Sequence, residues 1–366
     1  MLVEGGLAPL TGMRKTLVTT LVAVSLVLTG PAPAHAATSV YGYVWAHQPS
    51  TSSYLAGTGY EFSSTGGDIE IIRWEEGRYR VRFAGMGSSG GVAHVRAYGP
   101  TSNLCTVASW SHGIDVGINV RCFDPAGSLA DTRFVAHFTN RAGAAGNFSY
   151  FWAHDPTAAG PYEPFPTYAY DSTGVPTQIE RTGTGSYLVY LNALSELYPE
   201  QHNDGHLQVT AYHVDAVHCG MRVIGDESPT PLGVNCYDVD GNPVDSRFTV
   251  SYSHAVSHLG TNGARGNAYI RNSQTGPTYV GGWWSSGGGE PVVGHPGTGT
   301  YWVRFPGLGT SRGHATVSTQ EIGSSYCTVA SWHQHLWLPD EVVNVRCYDG
   351  GTHLPVDQDF GVSFRA

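Results

Sequence analysis

Lysine is almost missing from this chain. Of its 19 basic residues only Lys15 is a lysine, and the formal net charge is −10. Nucleic acid rewards clustered cations along its phosphates, so an acidic, lysine-poor chain is not built to bind it. Long apolar runs are also missing: the one extended stretch, Leu17 to Leu28, is too short to span a bilayer with ease. Neither His-Glu-x-x-His nor Asp-x-Asp-x-Asp-Gly occurs, which removes the signatures of a zinc peptidase and of a calcium loop. No apolar stripe of helical period runs beyond the N-terminal region.

What the first forty residues do contain is a basic start at Met13-Arg14-Lys15, the apolar run, and Ala34-His35-Ala36. This is the pattern of a secretory signal peptide, with Met13 as the initiator and cleavage after Ala36. Loss of residues 1–36 removes Glu4, Arg14 and Lys15 and moves the formal charge to −11. The processed chain is then expected to be secreted and not membrane-spanning. Glycine and proline are abundant, 48 and 21, but fall between apolar segments, which reads as turns rather than disorder.

The remaining chain repeats itself. Gly77-Arg-Tyr-Arg-Val-Arg-Phe83 matches Gly185-Ser-Tyr-Leu-Val-Tyr-Leu191 and Gly299-Thr-Tyr-Trp-Val-Arg-Phe305. Cys105-Thr-Val-Ala-Ser-Trp110 returns as Cys327-Thr-Val-Ala-Ser-Trp332, with Cys219-Gly-Met-Arg-Val223 between them. The tyrosines Tyr79, Tyr187 and Tyr301 lie 108 and 114 residues apart, a spacing of whole domains rather than solenoid repeats. The boundaries are module 1 at 37–140, a linker at 141–147, module 2 at 148–256, a linker at 257–266 and module 3 at 267–366. Short Gly-rich connectors favour packed modules over independent beads.

Period-two alternation predicts strands throughout. Tyr79, Val81 and Phe83 share one face and Arg78, Arg80 and Arg82 the other, with the same parity in modules 2 and 3. The expected fold is all-β: three tandem β-sandwich-like or small-barrel modules, each with one intramodule disulfide. The pairs are Cys105 with Cys122, Cys219 with Cys236, and Cys327 with Cys347. If each pair faces across a hairpin, Val107 meets Val120, Met221 meets Val234 and Val329 meets Val345, an apolar pair each time. Closing loops of this size contributes about 3 kcal/mol apiece. A structural zinc site would want tighter Cys spacing and a fourth ligand, so no metal is assigned.

Candidate chemistry is sparse. Gly87-Ser-Ser89-Gly-Gly91 and Gly309-Thr-Ser311-Arg-Gly313 match Gly-x-Ser-x-Gly, but a strand rather than a helix follows, so they read as connectors. His254 and His258 have helical ligand spacing on a strand end, where it cannot converge. His47 aligns with His154, and His206 with His314, with no carboxylate at fixed spacing. Asp124, Asp238 and Asp349, then Asp131, Asp245 and Asp357, flank turns and are read as turn-fixing acceptors, with calcium the sharper alternative. Trp110 and Trp332 alternate away from the cysteines; if the cysteine face is core they lean outward, where a sugar ring or peptide can stack, the alternative being that both faces are covered and the indoles pack. With His333, His335 and Trp337 they form the candidate ligand-binding set.

The motif Cys-Thr-Val-Ala-Ser-Trp followed by Asn-Val-Arg-Cys-(Phe/Tyr)-Asp resembles a repeat of uncharacterised secreted proteins of high-G+C bacteria. The resemblance covers nearly the whole processed chain, and module 2 departs from it at the Trp and the Arg. It implies no activity and no functional residues. The expected function is a secreted, non-catalytic array of binding modules for a carbohydrate or cell-surface ligand, without cofactor, tandem copies adding avidity. The alternative is a secreted hydrolase using loop His, Asp or Ser residues, and a third reading is a purely structural envelope component. A binding array should keep its surface across copies, whereas an enzyme site should be confined to one.

Overall fold

The computed structural model describes residues 39–366 except 142–145, 196–203, 225–230, 258, 261–262, 273–275 and 322. The signal-peptide expectation, including Met13, and the histidine pair ending in His258 therefore fall outside the described residues. Strand makes up 55% of the structure and helix 2%. The residues from Ala36 onward form one compact unit.

Module 1 contains β1 (Val40–Ala46), β2 (Ser53–Leu55), β3 (Glu61–Ser63), β4 (Ile69–Glu75), β5 (Arg78–Phe83), β6 (Val92–Ala97), β7 (Leu104–Ser111), β8 (Val116–Phe123) and β9 (Phe134–Asn140). Module 2 contains β10 (Asn147–Ala153), β11 (Ala169–Asp171), β12 (Gln178–Gly183), β13 (Ser186–Tyr190), β14 (His206–Tyr212), β15 (His218–Val223), β16 (Pro231–Tyr237) and β17 (Arg247–His254). Module 3 contains β18 (Arg265–Arg271), β19 (Tyr279–Ser285), β20 (Val292–Gly297), β21 (Thr300–Phe305), β22 (His314–Thr319), β23 (Tyr326–Gln334), β24 (Glu341–Tyr348) and β25 (Phe360–Arg365).

Each module is a sandwich of two antiparallel sheets. One sheet runs β3-β1-β9-β6 in module 1, β11-β10-β17-β14 in module 2 and β19-β18-β25-β22 in module 3. The other runs β2-β4-β5-β8-β7, β12-β13-β16-β15 and β20-β21-β24-β23, and β7 adjoins β14 so that the first of these and the β11-β10-β17-β14 sheet form one nine-stranded sheet. Tyr79, Val81 and Phe83 point inward with Val107, Val120 and Phe134 to build the first core, and the equivalent residues build the others. The three disulfides join adjacent strands at the expected register, beside Val107–Val120, Met221–Val234 and Val329–Val345.

The most faithful sequence repeats form a shared network. Asp131 Oδ1 accepts from Arg73 Nε at 2.8 Å, Gly77 N at 3.1 Å and Tyr79 OH at 2.9 Å. Asp245 repeats this with Arg181, Gly185 and Tyr187, and Asp357 with His295, Gly299 and Tyr301. Burial opposes ionisation of Asp131, but the bonds from Arg73, Gly77 and Tyr79 prevail and hold its carboxyl below the ordinary range. The glycine is required, because φ is +67°, +66° and +61° at the three positions. A Cβ there would lie 2.5–2.6 Å from the carbonyl oxygen of the second cysteine. Asp124 and Asp238 accept main-chain N–H groups two and four residues on, and Asp349 those two and three on, which fixes each turn.

The modules meet edge to edge in the same sense each time. β7 of module 1 joins β14 of module 2 by a parallel bridge at Val107 and Tyr212, extended by His213 N–H donating to the Val107 carbonyl at 3.0 Å. β23 of module 3 approaches module 1 likewise, with Gly99 N–H donating to the Val329 carbonyl at 2.9 Å. β15 of module 2 packs on β22 of module 3 and completes the cycle. The equivalent strands β6, β14 and β22 line the middle and are buried on both faces, apart from the half-exposed end of β14 at Tyr212. Their outer positions are polar and bond across modules. Gln208 Nε2 donates to Thr316 Oγ1 at 2.8 Å, Arg96 Nη2 to the Val209 carbonyl at 2.9 Å, and His94 Nδ1 lies 3.0 Å from Thr210 Oγ1. Burial pushes the pKa of His94, His206 and His314 down to about 3 in each case.

Candidate functional site

The two tryptophans of the repeated Cys-Thr-Val-Ala-Ser-Trp motif do not face solvent as their alternation predicts. β7 carries a bulge between Val107 and Ser109, and β23 one between Val329 and Ser331. One extra residue reverses the parity beyond it. Trp110 therefore pairs with Ile118 and Trp332 with Val343, on the cysteine side of the strand. Both indoles serve as joints between modules. Trp332 meets Trp45, Tyr60 and Tyr98 of module 1 at ring separations of 5.8, 6.2 and 5.1 Å. Trp110 meets Trp152, Tyr168 and Tyr212 of module 2 at 5.6, 5.6 and 5.2 Å. Their assignment to a ligand surface is corrected accordingly.

The other candidates do come together. β21 and β24 pair so that Trp302 faces Asn344 and Arg304 faces Val342 on the outer side of the module 3 sheet. With His333 and His335 these residues line an open cleft of about 390 Å³. The indole of Trp302 crosses β20 at Gly294, where any Cβ would lie 2.0 Å from the ring. Asn344 is oriented by donating to Ser331 Oγ at 2.9 Å. Arg304 is paired with Asp340 at 3.3 Å, and Asp340 also accepts Gly307 N–H at 3.0 Å.

Beside the cleft the β23–β24 hairpin presents Leu336 and Trp337, 84% and 86% exposed. The tip is braced from within: His335 Nδ1 accepts the N–H groups of Trp337 and Leu338, each at 3.2 Å, and His335 N–H donates to the Asp340 carbonyl at 2.8 Å. An indole floor, an exposed indole at the rim and a few fixed polar groups suit a ligand with one apolar face and peripheral hydroxyls. His333 and His335 thus belong to the cleft, and Trp337 to its neighbouring hairpin.

Sequence reasoning missed Trp302, Arg304, Val342 and Asn344. The signal was present, since Trp302 falls on the outward parity of β21 between the inward Tyr301 and Val303. It missed Glu341 too. This side chain points inward on β24, is fully buried, and accepts Thr310 N–H at 3.1 Å through Oε2. Burial raises its pKa to about 8 against the pull of that bond. Ser89 and Ser311 are exposed on connectors that run into β6 and β22. Among the described residues no three His, Cys, Asp or Glu side chains group as a metal site, and no helix is long and apolar enough to cross a membrane. The chain matches no protein-family model, no curated protein and no solved structure.

Proposed function

We propose that the protein is an exported, non-catalytic binding protein whose ligand site is the outer cleft of module 3. The observation that carries this reading is the pairing of the Trp302 floor with the exposed Leu336-Trp337 hairpin. Three disulfides fit an oxidising, extracellular setting. The ligand class is a carbohydrate or another cell-surface group that stacks on indole. Because Arg304 is neutralised by Asp340, a neutral ligand suits the cleft better than a highly charged one.

The reading narrows the expectation of an array. Module 1 has Arg80 where module 3 has Trp302, and module 2 has Leu188, so avidity from three equal copies does not apply. Confinement to one module is the property expected of an enzyme, but among the described residues no carboxylate or hydroxyl side chain lines the cleft. One nitrogen of His335 is also engaged in bracing the hairpin.

The test is retention of the chain, with residues 1–36 removed, on a panel of glycans and cell-wall fractions. Trp302→Ala and Trp337→Ala should each weaken retention at least tenfold without lowering the melting temperature by more than a degree or two. No retention anywhere, together with turnover of an ester or peptide that His335→Ala abolishes, would sink the proposal in favour of a hydrolase.

A further inference from the structure

Arginines gather at one corner where described ends of module 1 and module 3 meet. Arg141 follows β9, Arg265 opens β18, and Arg365 closes β25. The Arg365 guanidinium lies 4.6 Å from the centre of the Phe62 ring and 5.2 Å from that of Tyr41. The Arg141 guanidinium lies 6.0 Å from the same Tyr41 ring and 5.2 Å from Phe148. Sharing one ring places the two cations within about 11 Å of each other. Arg265 stacks on Trp284 at 5.2 Å and lies directly across the β18–β25 pair from Arg365.

Two of the three are not surface cations, while Arg265 is half-buried. Arg141 is 4% exposed and Arg365 3%. Arg141 donates to the Ser257 carbonyl and Arg265 to the Gly263 carbonyl, both on the connector between modules 2 and 3. Neither forms an ion pair with a carboxylate among the described residues, and the Nε of each is buried without a hydrogen-bond partner. Burial, reinforced by repulsion from Arg365 and Arg265, lowers the pKa of Arg141. A buried cation without a counter-charge is costly, and like charges beside it add to that cost. A guanidinium presents a planar fork of N–H donors that matches two oxygens of one anion.

We infer that this corner is an oxyanion site: Arg141 and Arg265, in the field of Arg365, hold a phosphate, sulfate or carboxylate group. The bound group offsets the mutual repulsion and ties the end of module 1 to the start of module 3. It stands apart from the cleft of module 3 and does not depend on what binds there.

The test uses the chain from residue 37 onward, freed of oxyanions by dialysis into chloride. Equilibrium dialysis with labelled sulfate, and with inorganic phosphate, should show one saturable site at millimolar or lower concentration. The melting temperature at constant ionic strength should rise to a plateau over the same range. Arg141→Gln and Arg265→Gln should weaken binding at least tenfold, and Arg312→Gln, an exposed arginine elsewhere, should not change it. Arg265→Gln keeps the test decisive if the more buried Arg141→Gln fails to fold. In chloride alone, Arg265→Gln should raise the melting temperature. A sulfated or phosphorylated polysaccharide that binds tenfold more tightly than the free ion, and loses this in Arg265→Gln, would identify the group as part of a polymer. Equal binding would identify a resident ion. A rise in melting temperature that never saturates and is the same in every variant is only salt exclusion from the surface. That result, or the absence of binding, overturns the site.

Discussion

The outer faces of modules 1 and 3 are built on the same strands in the same register, yet one is closed and the other open. In module 1, Arg80 reaches across β8 to Asn119 Oδ1 and Ser111 Oγ, at 3.4 and 3.2 Å. Arg82 is held between Glu70 and Asp115, at 3.0 and 3.2 Å. This lattice of hydrogen bonds covers the sheet. In module 3 the counterparts are Trp302 and Arg304, and Arg304 turns to Asp340. Asn344 keeps the bond to a serine hydroxyl that Asn119 also makes, so the frame is common and only its covering differs. A repeated scaffold can therefore carry a site in one copy without cost to the others, because outward residues of a half-buried strand are not needed by the core.

The contrast is sharpened by substitutions that move module 3 toward module 1. The largest effect is expected at the tryptophans both modules share. Trp332 is 9% exposed and belongs to the module 3 core, so Trp332→Ala should cost about 4 kcal/mol in chemical denaturation. Trp110 is only partly buried, and Trp110→Ala should cost about half as much. Equal losses would mean that the two joints between modules are equivalent.

Next is Glu341→Val, which installs the residue that module 1 has there, Val116. The folded-state pKa of Glu341, about 8, lies above the ordinary value of 4.5. Its linked stability is therefore fully present below pH 4.5 and is lost as pH rises toward 8. The substitution should remove this slope and stabilise the protein by about 3 kcal/mol at pH 7. An unchanged profile from pH 5 to 8 would show that the carboxyl is not held neutral.

His314→Val copies Val92 and acts at the opposite end of the pH scale. The folded-state pKa of His314, about 3, lies below the ordinary 6.5, so its linked stability is present above pH 6.5 and is lost as pH falls toward 3. The variant should lose less stability on acidification, by about 1.4 kcal/mol per pH unit in that window. An acid transition at the parent pH would assign the sensitivity to other groups.

The smallest change in stability, within about 0.5 kcal/mol, is expected for Trp302→Arg, because the site is half-exposed. Ligand retention should nonetheless fall at least tenfold, measured on the same panel as for Trp302→Ala. Undiminished retention would place the site elsewhere.

Much of the scaffold was legible from residue order. Alternation in Gly77–Phe83 and its counterparts gave strands and their inward faces, and the cysteine spacing gave a hairpin register that holds at Val107, Met221 and Val329. These depend on neighbours one strand away, and a period of two records them. The tryptophans were misread because a bulge inserts one residue and reverses parity without a distinctive sequence signal. The polar faces of β6, β14 and β22 carry no local mark of a partner, yet His94, Gln208 and Thr316 face other modules.

By itself, then, the sequence determined the all-β class, the three-part organisation, the disulfide pairs and the turn aspartates, because each follows from local period, spacing or turn chemistry. Only the tertiary structure decided that the modules close on one another and that Trp110 and Trp332 are joints. It also decided that Trp302, His333 and His335 share a cleft, and that Arg141, Arg265 and Arg365 meet. Those outcomes depend on surfaces brought together from residues more than a hundred positions apart, and no local pattern encodes which polar face will find a partner.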